Sequence, residues 1–371
     1  MITFEDPYIG EEEKKILQEA IGKASIIQGP YVKKFEDAFS SYYSSKYACA
    51  CFNGTVALHL ALAALGIKRG DEVIVPSFTF VATANAVSYL GAKPVFADIE
   101  KNTLCINPES VTKKVTRKTR AIIPVHVFGY PCEMGAINEI AGKNGLYVVE
   151  DAAEAHGATY DGKKTGSLSD IGCFSFYANK IISTGEGGMC LTNKKEFDAK
   201  MRLLRSQGKV KNEELKGDDF IEKKYYHEML GFNYRMLDLQ AAIGIAQMKK
   251  IDKKIEARRK IASLYEKEFS KYGIKTIEKG EKTNPSCWVY PVIFKNRNIR
   301  LKVGRELVKK NIPFLSFFWP CHKQPFYIND EKLPVTEEIS KKGLSIPCSP
   351  AITEQEAINL ANLIGNAAKN A

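Results

Sequence analysis

No stretch of this chain has the make-up of a membrane segment. Its longest apolar runs, such as TVALHLALAALG at 55–66, are too short and too interrupted to span a bilayer. The opening MITFEDPYIGEEEKK has no basic segment followed by an apolar one, so it is not expected to act as a signal peptide. No repeat and no low-complexity segment stands out. No basic run is interleaved with aromatics in a nucleic-acid-binding module, and no helix-turn-helix precedes residue 10. No glycine cluster is followed by the Lys-Ser/Thr pair that opens a helix in a P-loop nucleotide-binding protein. The nine cysteines are odd in number and scattered, and most are expected inside apolar strands. That pattern fits buried thiols in a cytoplasmic protein better than a disulfide framework. The CAC at 49–51 has no second ligand pair at zinc spacing, so no metal is expected.

What is present is an ordinary globular composition over 371 residues, 44% apolar and 26% charged, long enough for two domains. The net charge of +11 arises from 54 Lys and Arg against 43 Asp and Glu. It implies solvated helix faces or, more sharply, steering of an anionic substrate.

Short β-branched runs alternate with helical stretches. A helix opening at Gly54-Thr55 precedes EVIVP, a helix at 80–91, KPVFADI and TRAIIPVHVFG. A helix at 134–145 then leads to LYVVED, DIGCFSFYA and GGMCLT. The alternation predicts an α/β fold with a mostly parallel central sheet covered by helices on both faces. From about Asp252 a long charged helix leads to a smaller α+β region containing CWVYPVIF, KVGRELVKKNI and TEEISKKGLSIP. The expected division is 1–251 for a large domain with an N-terminal arm and 252–371 for a small one. The charged loop at 207–228 is expected to be mobile or to cover a site.

In an open α/β sheet, ligands bind beyond the carboxyl ends of the strands, and three such ends carry unusual residues. Asp151 ends the run LYVVED, where it is either a helix N-cap or faces a cation in the crevice. Lys180 follows DIGCFSFYAN. It is either a lysine snorkelling out to water or a dehydrated amine of lowered pKa, as a Schiff-base nucleophile requires. The NGT at 53–55 is either a plain helix start or an anion site made of free N–H groups beside a glycine. STGEGGM at 183–189 reads as a tight turn behind Lys180. Together a phosphate cradle, a carboxylate and an amine in one crevice match pyridoxal 5'-phosphate. That cofactor needs a partner amine and a carboxylate that keeps its ring nitrogen protonated.

The motifs VVEDAAEAHGA and SDIGCFSFYANKIISTGEGGM closely resemble the nucleotide-sugar aminotransferases of the DegT/DnrJ/EryC1/StrS family. So do GEEEKKILQEAI, FNGTVALHLAL, DEVIVPSFTFVATANAV, GFNYRMLDLQAAIG and IPCSP, so the likeness spans nearly the whole chain. The resemblance implies the aspartate-aminotransferase-like fold type I of pyridoxal phosphate enzymes. It implies that Lys180 binds the cofactor covalently and shuttles protons, and that Asp151 partners the ring nitrogen. Glu154 is placed near the ring, at a position where the family often has Gln or His. Phe80 is expected to stack on the ring, and Gly54, Thr55 and Ser175 to hold the phosphate. Asn233 is expected to reach the phosphate from the other subunit of a homodimer. His322, Tyr234 and Arg235 are assigned to the substrate.

Within the family, EDAAEAHGA and NYRM look most like the enzymes that aminate carbon 4 of GDP-linked 4-keto-6-deoxymannose, with glutamate as donor. UDP- and dTDP-linked 4-keto or 3-keto sugars are the alternatives, and a non-catalytic sensor on the same fold is the rival of another class.

Overall fold

The computed structural model describes residues 9–210, 217–218, 222–223, 225–327 and 330–369. Of the charged loop expected at 207–228, residues 211–216, 219–221 and 224 lie outside the described residues.

The chain builds strands β1 (Tyr47–Cys51), β2 (Glu72–Pro76), β3 (Lys93–Ala97), β4 (Thr119–Ile122), β5 (Tyr147–Asp151), β6 (Thr159–Tyr160) and β7 (Lys163–Lys164). They are followed by β8 (Ile171–Ser175), β9 (Gly188–Thr192), β10 (Lys275–Thr276), β11 (Thr283–Asn284), β12 (Tyr290–Ile293), β13 (Leu315–Ser316) and β14 (Gly343–Ile346). Seven strands form the main sheet in the order β1-β9-β8-β5-β4-β2-β3. The pairs β2–β3, β2–β4, β4–β5 and β5–β8 are parallel, whereas β9 pairs antiparallel with both β8 and β1. The expected mostly parallel sheet is present, with one strand reversed.

Alternation along the strands divides the core into two layers. Ile74, Ile122, Val148 and Phe174 pack on one side with Phe35, Phe39 and Ala241 of the helices Pro30–Tyr43 and Asp238–Met248. Val73, Val75, Val149 and Cys173 pack on the other with Leu58, Leu62, Val87 and Met201, from the helices Gly54–Ala64, Ala82–Tyr89 and Lys195–Arg205. Period-two side-chain alternation in a sheet buried on both faces requires such a partition.

The helix Ile251–Ser270 carries the chain out of this body. Its first turns, at Ile251 and Ile255, belong to the main core. Its later turns, at Ile261, Tyr265 and Phe269, belong to a separate core with Val292, Leu344, Ile346 and Leu360. That second core lies on the four-stranded sheet β10-β12-β14-β13. The expected boundary at 251/252 thus falls where one helix is shared by both cores, and β11 returns to pair with β6.

The helix expected at 80–91 occupies Ala82–Tyr89. In TRAIIPVHVFG only the first four residues form a strand. The rest turns along the carboxyl edge of the sheet through the 3-10 segment Val127–Gly129, where Phe128 has φ +57. All nine cysteines are buried, but only Cys49, Cys51, Cys173 and Cys190 lie in strands. Among the described residues, no helix is long and apolar enough to cross a membrane.

Candidate active site

β5 and β8 are parallel neighbours, with Asp151 opposite Cys173. Their carboxyl ends therefore open on one side, and the segments leaving them carry Asp151, Glu154, Ser175 and Lys180.

Turns follow β5 rather than a helix, so Asp151 is not an N-cap. Its Oδ2 accepts from Thr83 Oγ1 at 2.8 Å and its Oδ1 from the Ala153 N–H at 3.2 Å. Thr79 Oγ1 lies 3.0 Å from Thr83 Oγ1 and extends the chain of hydroxyls. Burial pushes the Asp151 carboxyl up. The Thr83 hydroxyl, the Ala153 N–H and the charge of Lys180 oppose that shift.

Lys180 is not a snorkelling lysine, because its Nζ points inward. It lies 3.6 Å from Glu154 Oε1 and 3.7 Å from the centre of the Trp288 ring. Burial lowers its pKa against the pull of Glu154 and Asp151, the direction a nucleophilic amine needs. Glu154 Oε2 accepts the Phe128 N–H at 2.8 Å, and burial raises its pKa, opposed chiefly by Lys180. The turn expected at 183–189 lies behind the lysine, with Gly185 at φ +80.

Asn53 caps the helix Gly54–Ala64 by accepting the Val56 N–H at 2.9 Å. The N–H groups of Gly54 and Thr55 in the first turn have no intrahelical acceptor by position. Ser175 lies directly against them, since a Cβ on Gly54 would come within 2.6 Å of Ser175 Cβ and 3.0 Å of its Oγ. Helix N–H groups beside a hydroxyl suit a phosphate. The donor set as a whole fits pyridoxal 5'-phosphate.

Phe80 lies on the turn between β2 and the helix carrying Thr83, 61% exposed. Asn233 is exposed on the segment bridged to Ser206. Tyr234 is half-buried. Its hydroxyl lies 3.2 Å from His59 Nδ1 and its ring stacks on Phe232 at 4.7 Å. Arg235 is half-buried and makes no side-chain hydrogen bond or ion pair among the described residues. His322 is fully buried, with Nδ1 2.6 Å from Ser77 Oγ and Nε2 3.2 Å from Glu337 Oε1. Both ring nitrogens are engaged, so His322 ties the 317–327 segment to the end of β2.

Sequence reasoning passed over Thr79, Thr83, Phe128 and Trp288. The threonines stand four apart at the start of an apolar helix, a pattern shared with ordinary core threonines. Nothing local marks Trp288.

A family model described as the DegT/DnrJ/EryC1/StrS aminotransferase family matches residues 7–364. The GDP-perosamine synthase of Caulobacter vibrioides is 41% identical over 343 residues, covering 88% of this chain and 87% of that protein. The GDP-perosamine synthase of Vibrio cholerae is 36% identical over 375 residues, covering 99% of each. The crystal structure of DesV from S. venezuelae, in complex with a ketimine intermediate, superposes with a TM-score of 0.92. It is 31% identical, covering 99% of this chain and 98% of that one.

Proposed function

Since the chain belongs to the DegT/DnrJ/EryC1/StrS aminotransferase family, we propose that it moves an amino group from glutamate to a nucleotide-linked keto sugar. The specific acceptor we propose is carbon 4 of GDP-4-keto-6-deoxymannose, giving GDP-perosamine in the cytoplasm. The chemistry rests on one observation above the others: a largely buried lysine of lowered pKa close to the buried carboxylates Glu154 and Asp151 at the carboxyl edge of the sheet. The choice of sugar rests on the named relatives.

Pyridoxal 5'-phosphate supplies an aldehyde that takes up the amino group and a ring that draws electrons from the reacting carbon. In this reading Gly54, Thr55 and Ser175 hold its phosphate, and Phe80 covers one face of the ring. Asp151 keeps a negative charge at the ring nitrogen, and the Thr83 hydroxyl orients that carboxylate. Lys180 Nζ takes a proton from the donor carbon and returns one to the sugar carbon. Proton transfer by a positioned group contributes on the order of 10²–10⁴-fold. Glu154 sits within reach of Lys180 Nζ and steadies it between transfers. We assign His322 a holding role rather than a substrate contact. Asn233, with Tyr234 and Arg235 beside it, is assigned to the partner's site in a homodimer.

The test is incubation with glutamate, pyridoxal phosphate and a panel of GDP-, UDP- and dTDP-linked keto sugars, read by product mass. The expected outcome is a 4-amino product from the GDP sugar. Amination of only a UDP- or dTDP-linked sugar overturns the nucleotide assignment. A protein that stays colourless with pyridoxal phosphate overturns the cofactor.

A further inference from the structure

We propose that Trp288 is a positioning residue for the reactive amine, its indole covering Lys180 Nζ while its hydrogen bonds lock the Lys180 turn to the turn at Phe128. The proposal rests on the reading of Lys180 given above.

The contacts close a circuit. The indole centre lies 3.7 Å from Lys180 Nζ, and its Nε1–H donates to the Asn179 carbonyl at 2.7 Å. The Trp288 backbone N–H donates to the Phe128 carbonyl at 3.2 Å. The Phe128 N–H donates to Glu154 Oε2 at 2.8 Å, and Glu154 Oε1 returns to Lys180 Nζ at 3.6 Å. Phe128 holds φ +57, a conformation that a bulky side chain adopts only where its surroundings enforce it. Next to it, a Cβ on Gly129 would meet the Trp288 nitrogen at 3.0 Å, so the two segments are pressed together. Arg258, on the long connecting helix, fixes the far side by donating to the Trp288 and Cys348 carbonyls at 2.8 and 2.9 Å. The cover over the lysine is therefore supplied by the C-terminal part of the chain.

A ring over an ammonium acts in two directions. Its π-face favours the charged amine, an effect worth up to roughly thirtyfold when desolvated. Its bulk keeps water away and favours the neutral amine, by up to about 3–5 pKa units at full burial. Trp288 is itself only 6% exposed, so exclusion of water is the larger effect. The charged groups acting on Lys180 are Glu154 and Asp151, which favour its charge, whereas Arg258 and Lys254 bear on the neighbouring His156. Buried His156, its pKa lowered to about 3, stays neutral.

The experiment uses cofactor-stripped wild type and the variants Trp288→Ala, Trp288→Gln and Trp288→Phe. The pH dependence of Lys180 labelling by an amine-acylating reagent is followed by peptide mass spectrometry. The growth of yellow colour is then timed as the pyridoxal phosphate aldehyde condenses with Nζ and releases water. Trp288→Ala should move the Lys180 midpoint up by about one unit, leaving about tenfold less free amine at neutral pH and slowing colour growth about tenfold. Trp288→Gln keeps a donor near Asn179 but no ring, and should behave the same way. Trp288→Phe keeps the ring and should titrate like wild type. An unchanged or lowered midpoint in the two ringless variants overturns the proposal, as does a Phe variant that shifts as far as Ala. If wild type labels at Lys180 yet never turns yellow, the cofactor reading has failed instead. The labelling result still decides the role of Trp288.

Discussion

Asp151 and Lys180 are residues that a folding chain gains little by burying. Burial raises the carboxyl pKa of Asp151 and of Glu154 and lowers the amine pKa of Lys180. A carboxylate whose folded pKa lies above its unfolded value binds more protons in the native state across that window. Stability therefore falls as pH rises from the ordinary carboxylate range through the raised folded pKa. Asp151→Asn removes one such group while keeping an acceptor for the Thr83 hydroxyl. Its cofactor-free unfolding midpoint should vary less with pH across this window than that of wild type, as thermal melts would show. The same variant should stay yellow yet lose turnover by about a hundredfold or more. Breaking a buried ion pair from one side costs roughly 3–5 kcal/mol, and about 3 kcal/mol of that in the transition state gives such a factor. Near-normal turnover would remove Asp151 from the chemistry. The N-cap role cannot rescue it, because no helix follows β5.

At the scale of elements, the site is a meeting of strand ends with one helix start. The helix Gly54–Ala64 approaches β8 so closely that only a glycine fits against Ser175. Gly54→Ala must push Ser175 or the helix aside, and overpacking of this kind costs roughly 1–3 kcal/mol. The expected result is a lower melting temperature together with faster loss of pyridoxal phosphate on dialysis. Loss of stability with unchanged retention of the cofactor would separate packing from phosphate binding. The 3-10 turn at Val127–Gly129 belongs to the same scale, since Pro124 and the paired backbone at Asp151 bend TRAIIPVHVFG along the sheet edge. That bend brings the Phe128 N–H to Glu154.

At the scale of the whole molecule, exposed apolar side chains include Ile26, Ile27, Phe52, Tyr177 and Leu230. Asn233 is also exposed. In the proposed homodimer each site takes Lys180 from one subunit and Asn233 from the other. Asn233→Ala should then release cofactor more readily. Mixing it with Lys180→Ala should restore activity in heterodimers, because one of their two sites keeps both residues. Verified heterodimers with no activity would count against the shared site.

The fold class was legible in the sequence because period-two runs between helices can bury both faces of a sheet in few other ways. Lys180, Asp151 and Gly54 stood out as candidates because each lies within a few residues of a strand or helix end, and local pattern reaches that far, whereas Ser175 was named only through the family resemblance. The sequence left Asp151 open between an N-cap and a residue facing a cation, since a carboxylate ending an apolar run has the same local pattern before a turn as before a helix. Thr83, Phe128 and Trp288 could not be found in this way. Their contacts to Asp151, Glu154 and Lys180 join segments far apart in the chain. His322 shows the converse: a histidine in a substrate-like motif whose two nitrogens are taken up by Ser77 and Glu337. Which residues carry chemistry follows from type and local position. Which residues hold them in place depends on the distances that chain reversal and the shared helix Ile251–Ser270 impose, and only the tertiary structure sets those distances.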